Sequence, residues 1–332
     1  MSRFGPFPDP STLLADDEAA AAFATMLDGG ASGEHIAEFL SALSDRGETM
    51  VEIAAAAQAM RDRLIPINAP AGAIDVCGTG GDGHHTLNVS TAVAIVVAAC
   101  EVPVAKHGNR AASSKSGAAD TLEVLGLDME RASQLAEAQL AHLGICFLFA
   151  AHHHPAMKRI MPIRKALGRR TIFNLMGPLA NPARVTRQLV GIARPAYVAV
   201  YAEALHRLGT EHSRVISGDE GLDELSLAGG NEVAVVTPEG VRMQRSHAAD
   251  AGLPTRPLAD IRGGDAAYNA KALRALLQGE PGAYRDAVLY NAAEALVVAG
   301  TVDNMIDGVE EAAEAIDKGL ANALLNCWIA YK

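Results

Sequence analysis

The sequence predicts an α/β protein built from a small all-helical domain and a larger α/β domain with a mainly parallel central sheet. Three observations lead there. The first seventy residues carry Ala-rich stretches of helical length and no strand-like run. Residues 65–72, with Pro66, Pro70 and Gly72 around Asn68, then interrupt the helical pattern. Beyond the break, short runs rich in β-branched and aromatic residues alternate with helix-length stretches, as parallel strands joined by helical crossovers require.

Taken in order, Asp16 to Leu27, Gly33 to Leu43 and Thr49 to Leu64 are expected as helices. Ser32 stands before the second, and Thr49 lies three residues before Glu52, the spacing at which a hydroxyl and a carboxylate satisfy the free amides of a helix start. Strands are expected at Ala73 to Cys77, Val102 to Ala105, Cys146 to Phe149, Gln188 to Ile192, Arg214 to Ile216 and Val233 to Val236. Helices should fill Thr91 to Cys100, Ala118 to Leu125, Arg131 to Leu143, Pro195 to Leu208 and Ala267 to Leu277, and the segment Tyr284 to Ile329 returns to helix.

At 332 residues with 49% apolar and 20% charged residues, the chain can bury a substantial core. Its formal charge of −11 disfavours a protein whose main task is binding nucleic acid, because that binding rests on phosphate neutralisation by Lys and Arg. The charge is uneven, however. Ala138 to Ala202 contains no Asp or Glu but nine cations, and Val102 to Ala119 is acid-free with Lys106, Arg110 and Lys115. Local cations in an acidic protein fit a site for a small anion. Cys77, Cys100, Cys146 and Cys327 form no CxxC pair and read as small buried hydrophobes. The longest apolar run, Thr91 to Cys100, is too short to span a bilayer, and Asp16, Asp17 and Glu18 interrupt any leader-like stretch, so a cytoplasmic protein with no membrane partner is expected.

Three segments carry chemistry. The first strand opens into Gly78-Thr79-Gly80-Gly81-Asp82-Gly83, followed by a helix start at Asn88-Val89-Ser90-Thr91. Glycines let the backbone approach a ligand, and loop amides next to a helix N-terminus suit a phosphate. Gly78, Gly80 and Gly83 also spell the dinucleotide fingerprint. Against that reading, residues 84–88 separate the loop from the helix, the next strand ends at Lys106-His107 rather than in an acid, and Asp82 would crowd a pyrophosphate unless a metal intervened. The second segment, Lys106 to Gly117, brings together point charges, an Arg fork and small hydroxyls beside glycine. The third, Gly218 to Ser226, places Asp223 and Glu224 at a strand end, where they are either solvated turn residues or hard oxygen ligands for Mg²⁺.

DVCGTGGDG with NVST, KHGNRAASSKSG, HHHPAMKRIMPIRKALGRRTIFNLMGPLANP and GLDELS occur in the order and approximate spacing of the anthranilate phosphoribosyltransferase family of tryptophan biosynthesis. The N-terminal MLDGG, IAEFLSAL and GETMVEIAAAAQAM are similar to that family too, so the resemblance covers essentially the whole chain.

The resemblance implies that Gly78, Gly81, Asp82, Thr86, Asn88, Val89, Ser90 and Thr91 bind 5-phosphoribosyl 1-diphosphate, together with Lys106, His107, Gly108, Asn109, Arg110, Ala111, Ala112, Ser113 and Ser114. It implies anthranilate contacts at Gly78, Asn109 and Arg164, the last to the carboxylate, with His107 and His154 lining the aromatic substrate's route. Ser90, Asp223 and Glu224 match its Mg²⁺ positions. Ala118 stands where the family commonly has Ser, removing one phosphoribosyl contact, and Leu87 where Phe is frequent. The implied fold groups residues 1–70 and about 168–187 as the helical domain, which usually forms a homodimer interface, and 71–167 with about 188–332 as the α/β domain.

In the implied reaction the anthranilate amine displaces pyrophosphate from C1 of the phosphoribosyl donor. An aromatic amine is neutral at pH 7, so the work falls on charge stabilisation and positioning, and no covalent or general-base residue is assigned. Asp75 and Glu123 as covalent catalysts lack support. His152 and His153 read as structural, since three consecutive histidines cannot face one ion. His84 and His85 read as loop-surface residues, and Gly177 to Pro182 as a structural turn or hinge. Two alternatives remain: a nucleoside phosphorylase-like enzyme, and a non-catalytic, nucleic-acid-binding relative motivated by the acid-free stretch.

Overall fold

The computed structural model of the protein describes residues 3–111 and 115–332. It opens with α1 (Asp16–Asp28), α2 (Gly33–Arg46) and α3 (Met50–Arg61). Their starts sit where the sequence offers caps. Ser32 Oγ accepts the His35 amide at 3.2 Å, and Thr49 and Glu52 form the reciprocal box, the Glu52 carboxylate accepting the Thr49 amide at 2.8 Å. Glu52 is fully buried, and its charge is met by Arg46 at 2.5 Å.

The remainder alternates strand and helix: β1 (Ile74–Gly78), α4 (Val89–Ala99), β2 (Val104–Gly108), α5 (Ala118–Leu125), α6 (Met129–Gln134), α7 (Ala136–Leu143) and β3 (Ile145–Phe149). The single turn α8 (Ala150–His153), α9 (Met157–Leu167) and the single turn α10 (Met176–Leu179) lead to β4 (Arg187–Gly191), α11 (Val198–Arg207), β5 (His212–Gly218), β6 (Asn231–Thr237) and β7 (Gly240–Ser246). Helices α12 (Ala266–Leu277), α13 (Ala283–Ala299), α14 (Met305–Asp317) and α15 (Leu320–Ala330) close the fold. Among the described residues the strands form one sheet in the order β3-β2-β1-β4-β5-β6-β7. From β3 to β5 all pairs are parallel, and β6 and β7 add an antiparallel edge.

Four local expectations are corrected. The stretch Arg131 to Leu143 is two helices, broken at Leu135. The edge strand β7 was not expected; in GVRMQRS only Val241 and Met243 are apolar, and every residue but Ser246 is half-buried or exposed, so no buried apolar run marks it. Helix α9 carries Pro162 in its interior, which hides a helix from sequence reading. Cys327 is exposed and Cys100 half-buried, so only Cys77 and Cys146 behave as buried hydrophobes.

The period-two alternation of the strands divides the core. Leu189, Ile216 and Val233 face α4 and α13, whereas Val190, Ile192, Val215, Ala234 and Val236 join the core of α1–α3 and α11. Helix α11 lies on that sheet face against β5, β6 and β7, and the N-terminal helices join the same core through the contact of α3 with α11. Helix α4 is apolar all round and buried along its length, held by β1, α13 and α15. That burial aims its N-terminus at the ends of β1 and β2.

Candidate active site

The chain runs from β1 to β2 and β3 on one side and then crosses to β4 on the other, so the strand order reverses between β1 and β4. At such a switch point the C-terminal strand ends leave a crevice. Gly78 and Gly191, register partners at those ends, let the 219–224 turn drop over them. A Cβ on Gly78 would lie 2.3 Å from Asp223 Oδ2, and one on Gly191 1.6 Å from the Asp223 carbonyl oxygen. Gly191 therefore admits only glycine, and a side chain at Gly78 would displace the Asp223 carboxylate.

The two acids are thereby held half-buried against the glycine loop. The Gly80 amide donates to Asp223 Oδ2 at 2.7 Å, and the Ser90 amide, at the start of α4, donates to Glu224 Oε1 at 3.1 Å. Burial pushes the Asp223 carboxyl up to about 7, reinforced by neighbouring Asp82. Glu224 is pushed up to about 8 by burial and then by Asp223, against the opposing pull of Lys106. Lys106 Nζ donates to the Val76 carbonyl at 2.7 Å and lies 3.4 Å from Ser90 Oγ. Among the described residues no Lys or Arg forms an ion pair with Asp82, Asp223 or Glu224. Nor do three or more His, Cys, Asp or Glu converge into a closed metal cage there. Mg²⁺ needs none, since one or two carboxylates, substrate phosphates and water satisfy it, and the donor set fits that ion.

Gly80 and Gly81 have φ of +68° and +74°, conformations in which glycine alone is unstrained. The following His85 also has positive φ, +53°, and its Nδ1 is buried with no hydrogen-bond partner. His85 lines the cleft instead of sitting on the loop surface, a correction to the sequence reading. Asn88 is fixed from three sides: its Oδ1 accepts from Thr121 Oγ1 at 2.6 Å and from Asn269 Nδ2 at 2.9 Å, and its carbonyl accepts from Tyr284 at 3.1 Å.

The loop after β2 is held by Asp120, which accepts from the Ala111 amide at 3.0 Å and the Gly117 amide at 2.9 Å. Arg110 turns toward Asp120 and Glu123, at 3.1 and 2.5 Å, and over the Phe149 ring. Ala112, Ser113 and Ser114 lie outside the described residues. Beneath the loop, the fully buried Asp75 accepts from the His107 amide at 3.1 Å and from Asn181 Nδ2 at 2.8 Å. This enclosed carboxylate is a scaffold, not a nucleophile facing the cleft.

His107 Nδ1 lies 2.8 Å from the Gly177 carbonyl, so it carries the ring proton and leaves Nε2 to face His154 Nε2 at 3.2 Å. Burial pushes His107 down to about 3 and His154 to about 4, leaving both neutral. Arg164, on α9, lines the same cleft; burial lowers its pKa, and among the described residues it has no carboxylate partner.

One cleft thus gathers Gly78, Gly81, Asp82, Thr86, Asn88, Val89, Ser90, Lys106 to Ala111, Arg164, Asp223 and Glu224. Two expected residues stand back from its wall: Thr91, buried on α4 with an unpartnered hydroxyl, and His154, behind His107. Sequence reading missed Phe173, Asn174, Gly177 and Pro178, which complete the wall. The GPLANP motif was the available signal, since its rigidity is what carries those residues and Asn181 to the site. His153 is structural, its Nδ1 bonded to the Ile65 carbonyl at 2.9 Å, and His152 pairs with Ser133. The cations of the acid-free stretch disperse: Arg169 pairs with Asp45, Arg187 with Glu211, and Arg164 turns into the cleft.

Comparison with known proteins agrees with this geometry. Residues 71–322 match the glycosyl transferase family a/b domain, and residues 13–64 the helical bundle domain of that family. An anthranilate phosphoribosyltransferase of Sphingopyxis alaskensis is 87% identical over all of both chains. The anthranilate phosphoribosyltransferase of Thermus thermophilus superposes with a TM-score of 0.89 at 41% identity, covering 96% of each chain. That of Saccharomyces cerevisiae, in complex with PRPP and Mg, superposes with a TM-score of 0.87 at 28% identity, covering 96% of this chain and 93% of the other. With its two matched domains and this degree of identity, the chain belongs to the anthranilate phosphoribosyltransferases of the glycosyl transferase family.

Proposed function

We infer that this chain transfers the phosphoribosyl group of 5-phosphoribosyl 1-diphosphate to the amine of anthranilate, releasing pyrophosphate and giving N-(5-phosphoribosyl)anthranilate. The observation that carries this reading is the convergence of the glycine loop, Lys106, the Asp223–Glu224 pair and Arg164 on one cleft. In this reading the free amides of the loop and of α4 receive phosphate oxygens. Arg164 takes the anthranilate carboxylate, with Asn109, Gly78 and neutral His107 beside the ring, and His154 supports His107 from behind. Holding the neutral amine against C1 replaces acid–base catalysis with positioning, and the surrounding dipoles favour charge leaving with pyrophosphate. Asp223 and Glu224, next to Ser90, would hold Mg²⁺, which supplies charge neutralisation to the diphosphate.

Residues 1–70 with about 168–187 are proposed to act as the helical domain and to form a homodimer through it; light scattering on the purified protein tests the dimer. The activity is tested by following the loss of anthranilate fluorescence with phosphoribosyl diphosphate and Mg²⁺. Turnover that vanishes when Mg²⁺ is chelated supports the reading, and no turnover with folded protein overturns it.

A further inference from the structure

Arg170 lies outside the cleft wall and among none of the residues that the motifs assign to substrate, yet it reaches the glycine loop from the opposite side. Its Nη1 donates to the Gly81 carbonyl at 3.1 Å. Its own backbone is sewn to α2: Ser44 Oγ donates to the Arg170 carbonyl at 3.1 Å, and the preceding Arg169 pairs with Asp45 at 2.5 Å. The guanidinium is half-buried beside Arg194, which repels it, and near Asp223 and Glu48, which favour its charge. Among the described residues it makes no ion pair. Arg194 instead covers the Tyr197 ring, and Tyr197 donates to Glu48 at 2.6 Å. The space around these groups holds little more than a water molecule, so a separate ligand does not fit there.

The crest of the loop therefore has two tethers of opposite kind. The Gly80 amide is held by Asp223, and the Gly81 carbonyl by Arg170. A peptide dipole pinned at its carbonyl end turns neighbouring amides in a fixed direction, and with φ of +74° at Gly81 the backbone has no side chain to do so. We propose that Arg170 is a positioning residue, which orients the Gly80–Asp82 backbone for the diphosphate and couples that loop to helix α2. This rests on the reading above that the diphosphate lies against the loop.

Arg170→Ala, Arg170→Lys and the neighbouring control Arg169→Ala test it. Amide hydrogen exchange of peptides covering residues 78–83, without substrate, reports loop tethering independently of any activity. The expected result is at least threefold faster exchange in Arg170→Ala, little change in Arg169→Ala, and partial return in Arg170→Lys. In steady-state kinetics Arg170→Ala should raise KM for phosphoribosyl diphosphate about tenfold while leaving KM for anthranilate within twofold, and Arg170→Lys should recover part of that loss. Unchanged exchange, or equal losses for both substrates, overturns the proposal. Inactive wild-type protein would instead remove the substrate reading, with the exchange result still deciding the tether.

Discussion

Asn181 Nδ2 donates to the Asp75 carboxylate at 2.8 Å, and the same nitrogen reaches the Ala105 carbonyl at 2.8 Å, tying the GPLANP turn to β1 and β2. Asp75 is fully buried, and burial raises its pKa although Lys106, Asn181 and the His107 amide all oppose the rise. Removing the amide leaves an under-satisfied buried carboxylate. Asn181→Ala should destabilise the protein by about 1–3 kcal/mol, and Asn181→Asp by more, because two carboxyls would then share the site. Urea unfolding of the three proteins checks the order, and equal midpoints would remove Asn181 as the keystone.

Arg164 faces the cleft with no carboxylate partner among the described residues. A charge-assisted pair with the substrate carboxylate is worth about 1.5–3 kcal/mol. Arg164→Ala should therefore raise KM for anthranilate roughly tenfold to a hundredfold, with KM for phosphoribosyl diphosphate little changed. Unaltered anthranilate kinetics would place the carboxylate elsewhere.

Asp223 and Glu224 have raised pKa values of about 7 and about 8, so without a cation the folded protein binds more protons than the unfolded chain between the ordinary carboxyl range and those values. Their contribution to stability is present at low pH and is lost as pH rises through about 7 to 8. Mg²⁺ competes with the same protons. The rise in melting temperature on adding Mg²⁺ should be larger near about pH 8.5 than near about pH 6, and should vanish in Asp223→Asn with Glu224→Gln. A shift independent of pH, or one retained by the double variant, would show that Mg²⁺ binds elsewhere.

Ala118, at the start of α5, lines the cleft beside Gly108. Restoring a hydroxyl there adds one hydrogen bond to a phosphate, worth about 0.5–1.5 kcal/mol. Ala118→Ser should lower KM for phosphoribosyl diphosphate by roughly twofold to tenfold and leave that for anthranilate alone. Initial-rate measurements with each substrate varied in turn check this.

Arg214 on β5 forms an ion pair with Glu294 on α13, whose side chain is only 1% exposed. Deleting one partner leaves the other buried and uncompensated, so Arg214→Met should cost about 3–5 kcal/mol in stability without altering either KM in the folded protein. A thermal unfolding scan beside the kinetic assay separates the two effects.

Much of this was written locally. Helix starts at Ser32 and Thr49 follow from hydroxyls placed before periodic apolar stretches. The glycine loop follows from residues that alone tolerate φ near +70°, and the alternation of strand and helix follows from hydrophobic period. The sequence by itself therefore determined the fold class, the order of elements apart from α9, β7 and the break between α6 and α7, and the segments carrying chemistry. Tertiary structure alone decided which residues meet. Asp75 and Asn181 are 106 positions apart and Gly80 and Asp223 are 143 apart, and no local pattern encodes such pairings. The reversal of strand order between β1 and β4 brings the acidic turn over Gly78 and Gly191, and it places α9 and the GPLANP turn on the far wall. The physical reason is that periodicity reports whether a side chain is buried. Its neighbour is set only when sheet order, crossover direction and packing close the chain on itself.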